Sequence, residues 1–172
     1  MDTGILKENQ ASRQRLAGLV ERLTDDDLSR PLEEGWTAAA ILAHLAFWDY
    51  RALGLIRRWK ESGIGPSPID IDNVNGAMLP LLLAIPPRLA AGLALSAAEA
   101  IDRELESAPP ELIAGIQALG GKFRLRRCEH RLEHIEQIER TMAQFLLDSP
   151  LAGSELTLER DKGLPQDIGI ET

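Results

Sequence analysis

The residues best suited to chemistry in this sequence are its three histidines, His44, His130 and His134. The last two are spaced i, i+4, so both side chains lie on one face of a helix. Two neutral imidazoles in that arrangement can bind one divalent ion at about 2.0–2.1 Å. The spacing therefore indicates a pair of metal ligands, and ordinary half-buried histidines hydrogen-bonded within a helical bundle are the alternative interpretation.

All three histidines lie at the border of an apolar helix face. At about 100° per residue, His130 and His134 flank the arc that contains Ile138. His44 is placed in the same way beside the face that contains Ile41. We therefore expect each imidazole to face a groove between helices rather than bulk water.

The surroundings of the histidines argue against two known metal chemistries. A zinc protease of the H-E-x-x-H type needs a glutamate directly after its first histidine, and here that residue is Arg131. Glu129 and Glu133 are expected on an acidic helix face, away from the histidines. Di-iron bundles need Glu-x-x-His on paired helices, a pattern that this chain lacks. The sequence thus predicts a histidine site without a carboxylate ligand.

Four further residues are candidates for a pocket around the histidines, namely Trp48, Arg51, Gln137 and Thr141. Trp48, one turn after His44, either walls the pocket or belongs to the core. Arg51 could bind an anionic substrate, and a solvated surface arginine is the alternative. Gln137 and Thr141 follow the histidines along the same helix and could support them through hydrogen bonds.

The start of the last predicted helix carries a basic cluster of Arg124, Arg126 and Arg127. Positive charge is unfavourable at a helix N-terminus, so an acidic neighbour or an anion should compensate it. Cys128, the only cysteine, lies on the apolar side of this helix and is predicted to be a small core residue rather than a nucleophile.

Composition and periodicity predict an all-α fold. Hydrophobic residues make up 44% of the 172 residues and aromatic residues only 4%, while Ala and Leu are abundant. Helices are predicted over about 5–23, 38–60, from Asp70 or Asp72 through 83, over 88–107 and over 123–147, with single turns near 25–28 and 111. Pro80 should kink the third helix, and Pro86–Pro87 should bend or restart it. The expected architecture is a four-helix bundle over residues 1–150 with an irregular tail at 151–172, in which only Ser154–Leu158 alternates like a strand.

Charge and cysteine content constrain partners and compartment. Nineteen basic against 27 acidic residues give a net charge of −8, which argues against nucleic acid or an anionic membrane as a partner. The single cysteine excludes an intramolecular disulfide, and the N-terminal residues lack a signal-peptide pattern, so we expect a cytoplasmic protein. The apolar third helix and the Ala- and Leu-rich composition predict a homodimer that uses helix faces away from the histidines.

Two segments resemble the signature of the DinB-like (YfiT-like) metalloenzyme family. Trp36-Thr37 followed by ILAHLAFWD at 41–49 resembles the W-T…hHLA-W-(D/E) motif of that family. CEHRLEHIEQI at 128–138 resembles its closing H-x-x-x-H-hydrophobic-x-Q-I helix, and DIDNVN at 70–75 is similar to the start of its third helix. The resemblance covers about residues 5–147.

The resemblance implies a bundle in up-down-down-up order, often dimeric, that holds a divalent metal. One histidine of the second helix and two of the last would bind the ion, which by position are His44, His130 and His134. The resemblance further implies relatives among thiol-dependent transferases and isomerases, including the mycothiol-dependent maleylpyruvate isomerases. Many family members have no assigned reaction.

These features lead to a functional hypothesis and two alternatives. Three neutral ligands leave a metal its full charge and an open position, where it can lower the pKa of a bound water or thiol. Imidazole ligands favour zinc or nickel. The hypothesis is a metal-dependent transferase or isomerase acting on a small-molecule substrate, with a low-molecular-weight thiol as cosubstrate. The alternatives are a non-catalytic bundle that binds metal or ligand for stability or sensing, and a structural dimer with metal-free histidines.

Overall fold

The computed structural model describes residues 3–120 and 123–148, and every regular element in these ranges is helical. The helices are α1 (Thr3–Arg22), α2 (Asp25–Ser29), α3 (Ala38–Ser62), α4 (Ile71–Leu83), α5 (Pro87–Glu106), α6 (Pro110–Ala118) and α7 (Arg127–Leu147), with a 3-10 turn at Glu33–Gly35. The prediction of an all-α fold is confirmed. The alternating segment Ser154–Leu158 and the tail at 151–172 lie outside the described residues.

The four longest helices, α1, α3, α5 and α7, form a closed ring of neighbours. Both α1 and α3 pack against both α5 and α7, while α4 packs on α3 and α2 packs on α3 and α5. Each of the four contributes buried side chains to one apolar cluster, for example Leu16, Ile41, Ala94 and Ile135. A second cluster contains Ile56, Ile101, Ile113 and Phe123. Helix α3 runs through both clusters, so a polar side chain on its inner face is buried unless a cavity opens beside it.

Three helices begin where the sequence predicts, each at a capping side chain. Thr24 and Asp27 form a reciprocal capping box at the start of α2. The Thr37 hydroxyl accepts a hydrogen bond from the Ala40 N–H (3.1 Å), and Asp70 caps α4. The cap at Thr37 fixes the start of α3 two turns before its histidine, which sets the direction in which that histidine points.

The third predicted helix is divided at its proline pair. Helix α4 ends at Leu83, and α5 begins at Pro87, where the missing N–H of proline is tolerated in the first turn. Pro80 lies within α4 without ending it. The turn predicted near residue 111 is the nine-residue helix α6.

The last helix begins four residues later than predicted, at Arg127. Phe123 and Leu125 lie before it in an irregular segment, buried in the second apolar cluster. Buried Asn9 of α1 donates its Nδ2–H to the Leu125 carbonyl (3.1 Å) and accepts the Cys128 N–H on Oδ1 (3.0 Å). The residue that fixes the start of α7 is therefore more than a hundred positions away, beyond the reach of a local sequence pattern.

Helix α3 is long and apolar enough to cross a membrane by length and composition alone. Two thirds of its most apolar window is buried among the other helices, as expected for the central helix of a water-soluble bundle.

Candidate metal centre

The three histidines meet between α3 and α7. One ring nitrogen from each of His44, His130 and His134 lies within 4.8 Å of the other two. The Nε2 atoms of His44 and His130 are 3.2 Å apart. Two nitrogens that bind one ion at about 2.0–2.1 Å lie roughly 3 Å apart, so this separation suits shared ligation. The cluster could hold a divalent metal ion.

The imidazoles of His44 and His130 are held in the neutral form. Burial, reinforced by the charge of His134, lowers the pKa of His44 to about 4. Burial also lowers the pKa of His130 to about 2, with further contributions from His134 and Arg127. Because a metal binds only the deprotonated imidazole, both residues are ready to act as ligands at neutral pH.

Gln137 selects one tautomer of the third imidazole. Its Oε1 lies 2.8 Å from Nδ1 of His134, and a carbonyl oxygen can only accept a hydrogen bond. In the neutral ring this contact places the proton on Nδ1 and the lone pair on Nε2. This support by the side chain of the next helical turn is typical of metal-binding histidines.

One ring nitrogen of the cluster is left without a protein partner. Nδ1 of His44 is buried and has no hydrogen bond among the described residues. A buried polar atom without a partner is costly, so such atoms commonly meet a ligand or an ordered water. This atom is on the side of the ring away from His130, so the fit to a metal ion rests on the three converging imidazoles themselves, a donor set that suits a divalent ion.

A buried ionic network orients α7 beside the histidines. Arg131, which is fully buried, donates from Nε to Asp49 of α3 (3.1 Å) and from Nη1 and Nη2 to the two oxygens of Asp102 on α5 (3.0 and 2.8 Å). Burial acts to lower the pKa of Arg131, but the two carboxylates outweigh it and raise that pKa above its usual value. Because Arg131 lies directly after His130, these bonds fix the rotation of α7.

Sequence reasoning missed this network. The available signal was the presence of Asp49 and Asp102 within otherwise apolar helix faces, since a buried carboxylate requires a partner. The position after His130 faces the core and not the site, so a glutamate there could not act as a general base beside the histidines.

The histidines line a cavity of about 500 Å³, a size that suits a small molecule. Its aromatic and apolar walls include Trp36, Trp48, Ile41 and Phe123, and its charged lining includes Arg51, Arg124, Arg127, Glu33, Glu34 and Glu133. The ring of Trp36 meets His44 edge-on, with 5.5 Å between the ring centroids. The turn that precedes α3 places Trp36 there, with Glu34 at a φ of 56°, in the left-handed region.

Three of the four candidate pocket residues lie at this cavity. Trp48 lines it and donates its Nε1–H to Asn75 (3.2 Å). Arg51 lines it, half-buried, and donates to the Ser67 hydroxyl (2.9 Å). Gln137 is also in the lining, whereas Thr141 is absent from it and donates to the Gln137 carbonyl of its own helix (3.1 Å).

The expectation for Glu133 is wrong. Its exposed side chain lines the cavity instead of facing away with Glu129. The reason is geometric, because three residues of α-helix turn by about 300°, which leaves Glu133 only about 60° from His130. Cys128 is buried as predicted, and burial with the nearby Glu8 carboxylate raises the pKa of its thiol.

Acidic neighbours compensate most of the basic cluster before α7. Arg126 pairs with Glu8, and Arg127 pairs with Asp49 through Nε and Oδ1 (2.8 Å). Arg124 forms no ion pair among the described residues.

Comparison with known proteins identifies a family. Residues 8–147 match the family model described as the DinB superfamily. No curated protein and no solved structure matches the chain.

Proposed function

The chain belongs to the DinB superfamily, and from that premise we propose that it is a metal-dependent enzyme acting on a small molecule. His44, His130 and His134 would hold the divalent ion. The observation that carries the proposal is the meeting of three imidazoles, with ring nitrogens within 4.8 Å, at the wall of a cavity large enough for a substrate. Structural metal sites are usually closed by four protein ligands, whereas catalytic sites keep a position open.

The donor chemistry favours zinc or nickel. The ligand set consists of imidazole nitrogens, which suit both ions, and the carboxylates of the cavity lining, Glu33, Glu34 and Glu133, are exposed and lie outside the cluster. A bound divalent ion would supply Lewis acidity and would lower the pKa of a water or thiol in its open position.

The chain's own residues would prepare the site. Gln137 would favour the tautomer of His134 whose Nε2 can bind a metal. Trp36 and Trp48 would form apolar walls of the cavity beside the histidines. The network of Arg131 holds the rotation of α7 and therefore the positions of two ligands.

A small-molecule thiol is the cosubstrate that we propose, with transfer or isomerisation as the reaction class. Cys128, the one thiol of the chain, is unsuited to this role, because it is buried, has a raised pKa and is absent from the cavity lining. A nucleophilic thiol at the histidines would have to come from outside the protein. We further propose that the protein works in the cytoplasm as a homodimer.

Metal stoichiometry tests the proposal most directly. Protein purified without a histidine tag is stripped, offered zinc or nickel, and measured by elemental analysis. We expect one ion per chain, and severe loss of affinity in His44→Ala, His130→Ala and His134→Ala, because two imidazoles bind far less tightly than three.

The matched control is Glu129→Gln, which changes an exposed side chain next to His130 and should leave metal binding unchanged. Far-ultraviolet circular dichroism confirms that each variant is folded. If the wild type takes up no metal, or if all three alanine variants keep full stoichiometry, the histidines are structural residues of the bundle. Metal uptake with no thiol-dependent turnover of any electrophile would favour the non-catalytic bundle.

A further inference from the structure

Charged residues are arranged in order along the cavity. Asp49 pairs with Arg127, whereas the earlier His44 faces the later His130, so α3 and α7 run antiparallel across the cavity. Arg51 follows these residues on α3 and therefore lies at the same end as Arg127. The pKa of Arg51 is lowered by burial and then by Arg58 and Arg127, which agrees with this proximity.

The acidic lining lies toward the opposite end. Glu33 and Glu34 precede the start of α3, and Glu133 follows His130 on α7. Along the chain, His44 lies between Arg51 and the pair Glu33 and Glu34, whereas Glu133 lies between His130 and His134 on α7. A small molecule in the cavity would therefore meet a cationic end beside the histidine cluster, with acidic side chains level with the histidines and beyond them.

Arg127 has an unused donor at the cationic end. The residue is only 6% exposed and lines the cavity. Its Nε donates to Asp49, but its Nη2 atom is buried with no hydrogen-bond partner among the described residues. The other oxygen of Asp49 is already bound by Arg131. An unmet donor on a buried guanidinium is destabilising, so a ligand that accepts from it would be favoured.

Arg51 brings a positive charge without a carboxylate partner. In the described part of the chain, it donates to the hydroxyl and carbonyl of Ser67, both neutral groups, and forms no ion pair. Its guanidinium lies 5.6 Å from the ring centroid of Trp48, a distance typical of a cation–π contact that holds the side chain in place.

We propose that Arg51 and Arg127, with Arg124 at the rim, form an oxyanion subsite that binds a carboxylate or phosphate group of the substrate. This deepens and rests on the proposed function, because it names the substrate class of the same cavity. Guanidinium groups suit planar or tetrahedral oxyanions through paired N–H donors. The substrate would lie along Trp48 with its reacting part at the histidines, and the glutamates would disfavour the reversed orientation.

Anion binding to metal-free protein tests the subsite separately from the metal. Sodium acetate and sodium phosphate are titrated into the stripped wild type by calorimetry at constant ionic strength, with chloride as the reference anion. We expect one saturable site, and the tighter of the two anions identifies the group that the substrate carries.

Two variants and one control locate the site. Arg51→Gln and Arg127→Gln should each weaken binding about tenfold, a change of about 1.4 kcal/mol. Arg58→Gln removes the same charge from an exposed position of α3 outside the cavity. Because Arg58 acts on Arg51 only through its charge and offers the anion no hydrogen bond, the affinity should fall much less than in Arg51→Gln. If Arg127→Gln fails to fold, because Asp49 loses one partner, the half-buried Arg51→Gln still decides the question.

The outcomes separate the two proposals. Loss of affinity in Arg51→Gln with unchanged zinc stoichiometry supports the subsite. Anion binding that requires zinc and is insensitive to both cavity arginines would place the anion on the metal and overturn the subsite, as would no binding or an equal loss in Arg58→Gln. A wild type that binds anions through Arg51 but takes up no metal would overturn the proposed function and leave the subsite standing.

Discussion

Asp49 and Arg131 form a buried ion pair between α3 and α7, and each lies close along its helix to a histidine of the cluster. The Arg131 guanidinium is 3.0 Å from the Asp49 carboxylate, and neither side chain is more than 2% exposed. The same carboxylate holds Arg127, which lines the cavity. One aspartate therefore connects the packing of the core with both the histidine cluster and the proposed anion subsite.

Arg131→Met should destabilise the fold strongly. Removing one partner of a buried ionic network commonly costs about 3–5 kcal/mol, because the remaining charges are left inside the protein. Urea unfolding followed by circular dichroism measures the change. Arg103→Met is the control, because its pair with Glu99 is exposed, and such pairs contribute about 0.5 kcal/mol or less. Equal effects of the two variants would show that the network adds no stability.

Gln137→Met should weaken metal binding while leaving the bundle folded. Loss of a hydrogen bond to a ligating histidine typically reduces metal affinity by about ten- to a hundredfold. Competition with a chromophoric chelator measures the affinity. Thr141→Val is the control on the same helix, because the Thr141 hydroxyl bonds to the backbone carbonyl of Gln137 and not to a histidine among the described residues. Unchanged affinity in Gln137→Met would mean that the contact with His134 does not support a ligand.

The sequence predicts the all-α fold, most helix starts and the histidine cluster, because these depend on local signals. Caps such as Thr37 act within one turn, and the i, i+4 spacing of His130 and His134 is a property of one helix. The start of α7 and the ionic network depend on Asn9 and Asp102, which come from other helices. The position of Glu133 could also have been predicted from the sequence, because about 100° per residue places it roughly 60° from His130 on the helix.

Association should depend on apolar side chains near the junction of α4 and α5. Leu81, Leu83 and Leu89 are 69%, 45% and 54% exposed, and none of them lines the histidine cavity. Large apolar side chains exposed at this junction are candidates for a surface that meets another chain. We predict a dimer by analytical ultracentrifugation at micromolar concentration, and a shift to monomer in Leu81→Asp. A wild type that sediments as an 18.9 kDa species would contradict this prediction.

Acid should destabilise the metal-free protein through its buried histidines. The pKa of His44 is about 4 in the folded state, against about 6.5 for a solvated histidine. Above about pH 6.5 His44 is neutral in both the folded and the unfolded protein. Between about pH 6.5 and 4 the unfolded chain binds a proton at His44, whereas the folded chain does not. Stability is therefore lost as the pH falls from about 6.5 toward 4, by about 1.4 kcal/mol per pH unit at most for each such histidine.

Urea unfolding of stripped protein between pH 7 and 5 measures this loss, and His44→Gln provides the comparison. Because the carboxylates titrate equally in both proteins, the free energy of unfolding of His44→Gln should fall less steeply with pH than that of the wild type. The remaining decline would include the contribution of His130. Metal-loaded wild type should keep its ion over this range and release it only as the pH approaches 4, where a proton begins to compete for the ring nitrogen of His44. Identical pH profiles for the stripped wild type and His44→Gln would show that His44 is not held neutral by the fold.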